Sequence, residues 1–555
     1  MSTITHIMNT TAAAPTHLAN ILDGDLHSTT IMAATLLVLL FGTIVSFFYS
    51  TSSTVSTNNN KNQTNKKEKY ATPWPKVEGA LPIIGNFHQI KDPKYLPAKA
   101  NEWARDLAKE HGCYEIRLAG VRWVVLCNEE RMREVMAERP FKVIRSRKVT
   151  AATSSVGGDG AFSAEGDLWK MNRKVLAPMF NKNHIRDYFQ YMKIVNTRLI
   201  KRWSSFANGN GFAVNEDVFK YAMDFSALAS LGKELDSLNR ESIEAKDMVT
   251  IFEGMGTRAL APFQFWKIPI IGQYLDGLGY PINRMITLFG DVIDNFIQNG
   301  PSEEGDGSLV GKLVEQAGRD PTFERKYMIG NLTTALMAGT DSTASTICTV
   351  LQHLVEDNTG IQEEIRKEID ANLPDNLNDI TLDDLSLENV PILKSFIIES
   401  SRFCPAFPLF LYEVDEDIDF CGTTLPKGVN ILANFQYTTL NPIDRPKGVL
   451  HGPNGEYPDN TEFHPRRWLV KDDKSKSGYV CAHPEKNSTA YLTFGHGRRQ
   501  CPGQAFANTF ICYTMVNLLR RYRLDKADGY ESAGREFLLA NIPDKDIRIT
   551  LTKRE

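Results

Sequence analysis

The ten residues Phe494–Gly503, FGHGRRQCPG, constrain this chain more than any other feature. Gly495, Gly497 and Gly503 strip side chains from a short loop, so its backbone can approach a flat partner closely. Cys501 stands just before an apolar, helix-forming run that starts near Gln504. A helix N-terminus favours an anion and lowers a thiol pKa, and a thiolate is the form of cysteine that ligates iron. The plainer alternative is a buried structural cysteine near a helix start. The other seven cysteines offer no competing chemistry: none of the eight forms a C-x-x-C pair, which leaves a zinc site or dithiol centre unsupported. So few cysteines in 555 residues fit a reducing compartment.

A second constraint lies near the N-terminus. No charged residue occurs from Ser28 to Ser50, and Ile31–Tyr49 reads IMAATLLVLLFGTIVSFFY. About twenty helical residues at roughly 1.5 Å each span a bilayer's hydrocarbon core. A cleaved signal peptide would need a basic start and a shorter apolar stretch, yet residues 1–27 hold no Lys or Arg, only Asp23 and Asp25. Lys61, Lys66, Lys67 and Lys69 follow the span, so the positive-inside rule predicts an N-terminus outside and the remainder in the cytosol. The expected organisation is a luminal segment (1–28), a transmembrane anchor (29–50), a polar linker (51–72) and one catalytic domain (73–555).

Within that domain, apolar residues at helical spacing predict helices over 185–205, 282–298, 325–356, 361–371, 391–402 and 504–521. Short alternating runs at 113–127, 410–433 and 547–552 predict strands. The class is mainly α with small β-sheets. The composition, 42% hydrophobic and 23% charged, supports a large core. Basic and acidic side chains nearly balance, 63 against 67, which argues against nucleic acid as a partner.

Four further patterns are weak when taken singly. Trp169 and Arg173 share a helix face at i,i+4, as many surface stacking pairs do. Ala338-Gly339-Thr340-Asp341-Ser342-Thr343 lies midway along the 325–356 helix, where glycine costs about 0.5–1 kcal/mol relative to alanine. Either a cofactor or a helix crossing would justify it. Glu399 and Arg402 pair at i,i+3, and Phe463-His464-Pro465-Arg466-Arg467-Trp468 follows.

Together and in this order, the five motifs resemble the cytochrome P450 family over roughly residues 73–555. The loop fits F-x-x-G-x-R-x-C-x-G through Phe494, Gly497, Arg499, Cys501 and Gly503. The resemblance implies a P450 fold behind one transmembrane helix, and one haem b held by the Cys501 thiolate. It also implies insertion of one oxygen atom from O2 into a lipophilic molecule, with steroid, fatty acid, terpenoid and xenobiotic substrates all open. Trp169, Arg173 and Arg499 would serve the haem, Ala338 and Gly339 would make room for it, and Glu399, Arg402 and Arg467 would lock the fold. Asp341 and Ser342 resemble the oxygen-activating acid–alcohol pair, with Thr343 as a second alcohol. Where the family often has an arginine on a propionate, an ungapped count back from Gly422 places Tyr412, which donates one hydrogen bond and no charge.

With no P-loop, dinucleotide fingerprint or flavin domain in the sequence, electrons are expected from a separate membrane NADPH-dependent flavoprotein reductase, with cytochrome b5 as an accessory donor. Lys170, Lys174 and Arg498 are candidate docking residues. The expected location is the endoplasmic reticulum membrane, single-pass. Expected substrate-lining segments are Ser154–Glu165, Ala335 and Ala338, Pro405–Leu409 and Leu538–Ile542; Pro262–Tyr274 would dip into the membrane interface. Two other function classes are a haem-thiolate isomerase or dehydratase acting on a hydroperoxide, and a non-catalytic haem sensor. The intact Asp341–Ser342 pair argues against both.

Overall fold

The computed structural model describes residues 73–554, apart from 119–120, 262–263, 301–306, 442–458, 483–490 and 538–539. The expected segments 1–28, 29–50 and 51–72 therefore lie outside the described residues, as does Leu538. Among the described residues, no helix is long and apolar enough to cross a membrane. They belong to one compact unit, Thr72–Glu555.

Seven helices concern the site: α1 (Gly166–Leu176), α2 (Lys182–Ser204), α3 (Asn215–Leu231), α4 (Arg325–Glu356), α5 (Ile361–Asn372), α6 (Pro391–Phe403) and α7 (Gln504–Arg521). The helical spacing located α2 and α4–α7 closely. It did not reveal α3, and the reason is physical. Every residue from Tyr221 to Leu231 is buried, so the segment has no polar stripe and no amphipathic period. Helix α3 packs along α4 and against α2.

Five strands form the main sheet: β1 (Cys113–Leu118), β2 (Val121–Leu126), β3 (Val143–Arg145), β4 (Leu409–Val414) and β5 (Asn430–Asn434). Their order is β1-β2-β5-β4-β3. Only the β2–β5 pair is parallel. Period-two alternation divides the sheet between two cores. Val124, Leu126, Tyr412, Val414, Ile431 and Ala433 pack on one side; Ile116, Val125, Leu409 and Leu432 pack on the other. The β3–β4 register sets Arg145 opposite Tyr412.

Helix α6 and the turn Pro465–Trp468 are locked by one carboxylate. Glu399 is fully buried. It accepts from Arg402 Nε and Nη2, both at 2.8 Å, from Arg467 Nε at 2.9 Å, from Trp468 Nε1 at 2.9 Å and from the His464 backbone N–H at 2.8 Å. The surplus guanidinium groups bond backbone oxygens of Thr439, Glu462 and Asp459. A buried ion cluster is tolerable when so fully paired. Burial alone would raise the Glu399 pKa, but the Arg402 hydrogen bond and the two arginine charges hold it below 4.5. Because the folded pKa is depressed, this contribution to stability is present above the unfolded value and is lost as pH falls through the folded one. Glu399→Gln leaves two buried arginines without a counter-charge and is expected to cost about 3–5 kcal/mol, read as a lowered urea midpoint. Trp468→Phe, which removes one bond to a charged group, is expected to cost about 1.5–3 kcal/mol. A Glu399→Gln midpoint close to wild type would contradict this account.

Candidate active site

The loop 494–503 is shaped by its glycines and by one backbone bond. Gly495 and Gly497 both take φ +74°, a conformation that side-chain-bearing residues rarely adopt. The Cys501 N–H donates to the Phe494 carbonyl at 2.9 Å, closing the loop. Gly503 caps α7. The Cys501 thiol is accessible, yet burial is the first cause of its pKa, which is pushed up; the Gly503 N–H and the Arg173 charge oppose it less strongly. A residue that is accessible although protein surrounds it on most sides lines a recess. The helix start was expected to lower this pKa, and burial outweighs it. A coordinated metal would deprotonate the thiol outright.

Helix α4 presents one face to the interior. Asn331, Ala335, Ala338 and Ser342 recur at i+3 and i+4 spacing. Ala338 is exposed and Ala335 and Ser342 are half-buried, although Leu336, Met337, Thr340, Asp341 and Thr343 around them are buried. Asn331 Nδ2 donates to Asn172 Oδ1 of α1 at 2.6 Å, which pins this face to the helix carrying Trp169 and Arg173. Gly339 does not open the recess: a Cβ there would meet Ser226 Oγ of α3 at 2.6 Å. Its smallness serves the α3–α4 crossing, and Ala338 makes the room. Gly157 and Gly160, in the glycine-rich segment, likewise press on α4; a Cβ would meet Thr333 Oγ1 at 2.0 Å and the Gly330 carbonyl at 2.1 Å, respectively.

Asp341 and Ser342 point in different directions. Ser342 Oγ donates to the Ala338 carbonyl at 2.6 Å and stays on the accessible face. Asp341 is buried, and burial pushes its carboxyl up to about 7, against an Ala540 N–H that pulls it down. Ser345 Oγ donates to the Asn541 carbonyl at 2.6 Å, holding the same loop to α4. Thr343, expected as a second alcohol, is buried and away from the accessible face.

Three buried arginines gather beside α1. The Arg499 guanidinium lies 4.4 Å from the Trp169 ring centroid. Its Nη2 donates to the Ala164 carbonyl at 2.9 Å and to the Glu165 carboxylate. Arg145 stacks 3.8 Å from Phe162, and Arg139 stacks 3.9 Å from Tyr412. Burial lowers Arg145 to about 10, with Arg139 the next cause. Burial also lowers Arg499 to about 9; Glu165 opposes the shift, and Arg145 and Arg139 add to it. Five nitrogens, Nε and Nη1 of Arg139, Nε of Arg145, and Nε and Nη1 of Arg499, are buried with no hydrogen-bond partner among the described residues.

The family model for cytochrome P450 matches residues 75–545. This chain belongs to the cytochrome P450 family. Among curated relatives, the cytochrome P450 monooxygenase sphH of Aspergillus fumigatus is 24% identical over 77% of this chain and 78% of its own. Parthenolide synthase of Tanacetum parthenium is 24% identical over 82% and 86%. Cytochrome P450 71B3 of Arabidopsis thaliana is 25% identical over 83% and 91%. The chain is accordingly a P450 monooxygenase, an oxidoreductase that takes haem b on a cysteine thiolate and uses O2 and a redox partner.

The residues present fit that cofactor. An accessible, desolvated thiol precedes a helix, and a helix face lined by alanines and Ser342 runs beside α1. Three guanidiniums against the single Glu165, with Arg173 of α1 close by, leave a positive surplus that suits the two carboxylates of haem b. Of the residues the motifs singled out, Cys501, Arg173, Trp169 and Arg499 come together directly. Phe494 and Gly497 shape the loop, and Glu399, Arg402 and Arg467 form the buried cluster behind it. The motifs did not reveal Arg139, Arg145, Glu165 or the Asn172–Asn331 bond. A buried arginine far in sequence from its partners looks like any surface arginine.

Asp341 gives a stability test. Its folded pKa lies above the unfolded 3.8, so the native state binds more protons between pH ~4 and ~7 and stability falls with rising pH across that window. Asp341→Asn is therefore expected to raise the thermal midpoint at pH 8 and to lose this advantage by pH 4. A midpoint lowered equally at both pH values would show that the carboxylate is needed charged.

Proposed function

We propose that this P450 oxidises a lipophilic small molecule, with electrons from a membrane NADPH-dependent flavoprotein reductase and cytochrome b5 as accessory donor, at the endoplasmic reticulum membrane. The observation that carries the reading is the buried Asp341, with a pKa of about 7, next in sequence to the accessible Ser342. Haem b, when bound, supplies the centre at which O2 is activated and one oxygen atom is inserted. The protein's own task is to deliver protons while excluding water. Asp341 can both hold and release a proton near neutrality, and the Ser342 hydroxyl can pass one on. The apolar character of the substrate is supported by Phe407 and Ile542, both half-accessible, and by Ala335 and Ala338.

Membrane association is supported by the segment 264–275, which follows the helix Ile243–Leu260. Ile268, Ile270, Ile271 and Leu275 are exposed there, Ile270 by 89%. Ile270 also takes φ +70°, a costly backbone for a β-branched residue. An apolar tip held outward in this way suits a lipid interface. Lys174 and Arg498 are exposed, as basic docking residues for a reductase would be. Lys170 is held by Asp167 at 2.8 Å.

In a reconstituted system, Ser342→Ala is expected to keep substantial NADPH consumption while product falls about 10²-fold or more and hydrogen peroxide rises. Asp341→Asn is expected to slow the whole cycle. Thr343→Ala should keep wild-type product per NADPH, since Thr343 lies off the accessible face. Wild-type coupling in both Ser342→Ala and Asp341→Asn would dismiss the relay. Turnover of hydroperoxides alone, without NADPH or reductase, would favour the isomerase. For the membrane reading, protease added to intact microsomes is expected to digest the domain from Pro73 onward; protection would reverse the orientation.

A further inference from the structure

We propose that Arg139, seated on the ring of Tyr412, anchors one haem carboxylate in this chain, and that Tyr412 acts as its platform and not as a hydrogen-bond donor to the haem. The proposal rests on the haem b reading and assigns a role to a residue outside every motif above.

Four observations carry it. Arg139 is 6% exposed, and its Nε and Nη1 have no partner among the described residues. Its guanidinium lies 3.9 Å from the Tyr412 ring centroid, so a ring face, and not an acid, supports the buried charge. The one carboxylate in the cluster is already engaged: Glu165 takes Arg499 Nη2 and, at 3.0 Å, the Arg145 backbone N–H. Arg145, directly opposite Tyr412 across β3 and β4, adds a second positive charge at the same place. A buried guanidinium without an acid is costly unless an anion completes it. The ring keeps Arg139 in place, and the unbonded N–H groups are what a carboxylate would take. The charge comes from the residues just before β3, and the strand β4 supplies its aromatic seat.

The roles of ring and hydroxyl separate experimentally. The rate of haem transfer from the holoprotein to excess apomyoglobin, followed by the Soret band, is the readout. Arg139→Gln is expected to accelerate haem loss about tenfold or more, as removal of a charge-assisted hydrogen bond implies. Tyr412→Phe, which keeps the ring, is expected to stay within about twofold of wild type, whereas Tyr412→Leu should approach Arg139→Gln. The double variant Tyr412→Arg with Arg139→Gln is expected to recover most of the retention, because it places the charge on the strand at the same site. Should Arg139→Gln not fold, Arg139→Lys still decides: an ammonium lacks the guanidinium fork, so loss must accelerate. The proposal is overturned if Tyr412→Phe loses haem as fast as Arg139→Gln, if neither Arg139 variant differs from wild type, or if the double variant gains nothing over Arg139→Gln. A wild-type protein with no Soret band would instead refute the cofactor reading itself.

Discussion

One carboxylate holds the cysteine side of this protein together. Glu399 receives five hydrogen bonds, from two guanidiniums, an indole and a backbone N–H. No single one would justify burying a charge, because desolvation outweighs an isolated pair. Together they tie helix α6 to the turn that carries Arg467 and Trp468. The tie reaches the cysteine through packed rings: Trp468 lies 5.7 Å from Tyr491, and Tyr491 lies 6.1 Å from Phe494. The Phe494 carbonyl then takes the Cys501 N–H. The position of the thiol thus depends on contacts made far from it in sequence.

The arginine cluster is the electrostatic opposite of that knot. Around Glu399, two guanidiniums share one acid, but their remaining N–H groups are taken up by backbone oxygens. Around Trp169, three guanidiniums share one acid, and five of their nitrogens have no partner among the described residues. Stability is given up where a ligand with two carboxylates would recover it, which is a common signature of a binding site. Asp341 follows the same logic on the other side of the recess: burial holds its carboxyl near pH 7, where it costs stability but can exchange a proton.

Several elements were legible because their periodicity survives in the sequence. Helix α4 has a long apolar pattern, and the strands stand out as short β-branched and aromatic runs. Helix α3 was hidden because it is buried on every side from Tyr221 to Leu231, so its polar residues mark no solvent face. The glycine at 339 shows a subtler limit. Its presence in a helix interior was visible, but two explanations competed, and only the 2.6 Å approach to Ser226 Oγ decides for the helix crossing. Thr343 is similar: it neighbours Ser342 in sequence, yet one helical step of about 100° turns it into the core.

By itself, the sequence determined the family and singled out Cys501 as the candidate iron ligand and Asp341–Ser342 as the candidate acid–alcohol pair. These are carried by residues a few positions apart on one loop or one helix, where backbone geometry converts spacing directly into proximity. The tertiary structure alone decided what surrounds them. It set Arg139 on Tyr412, Arg145 across the sheet from it, Glu165 against Arg499, and Asn172 against Asn331. Those partners lie between 159 and 334 residues apart. No local pattern encodes such pairings, because they arise only when the sheet and α4 close on α1 and bury the groups together.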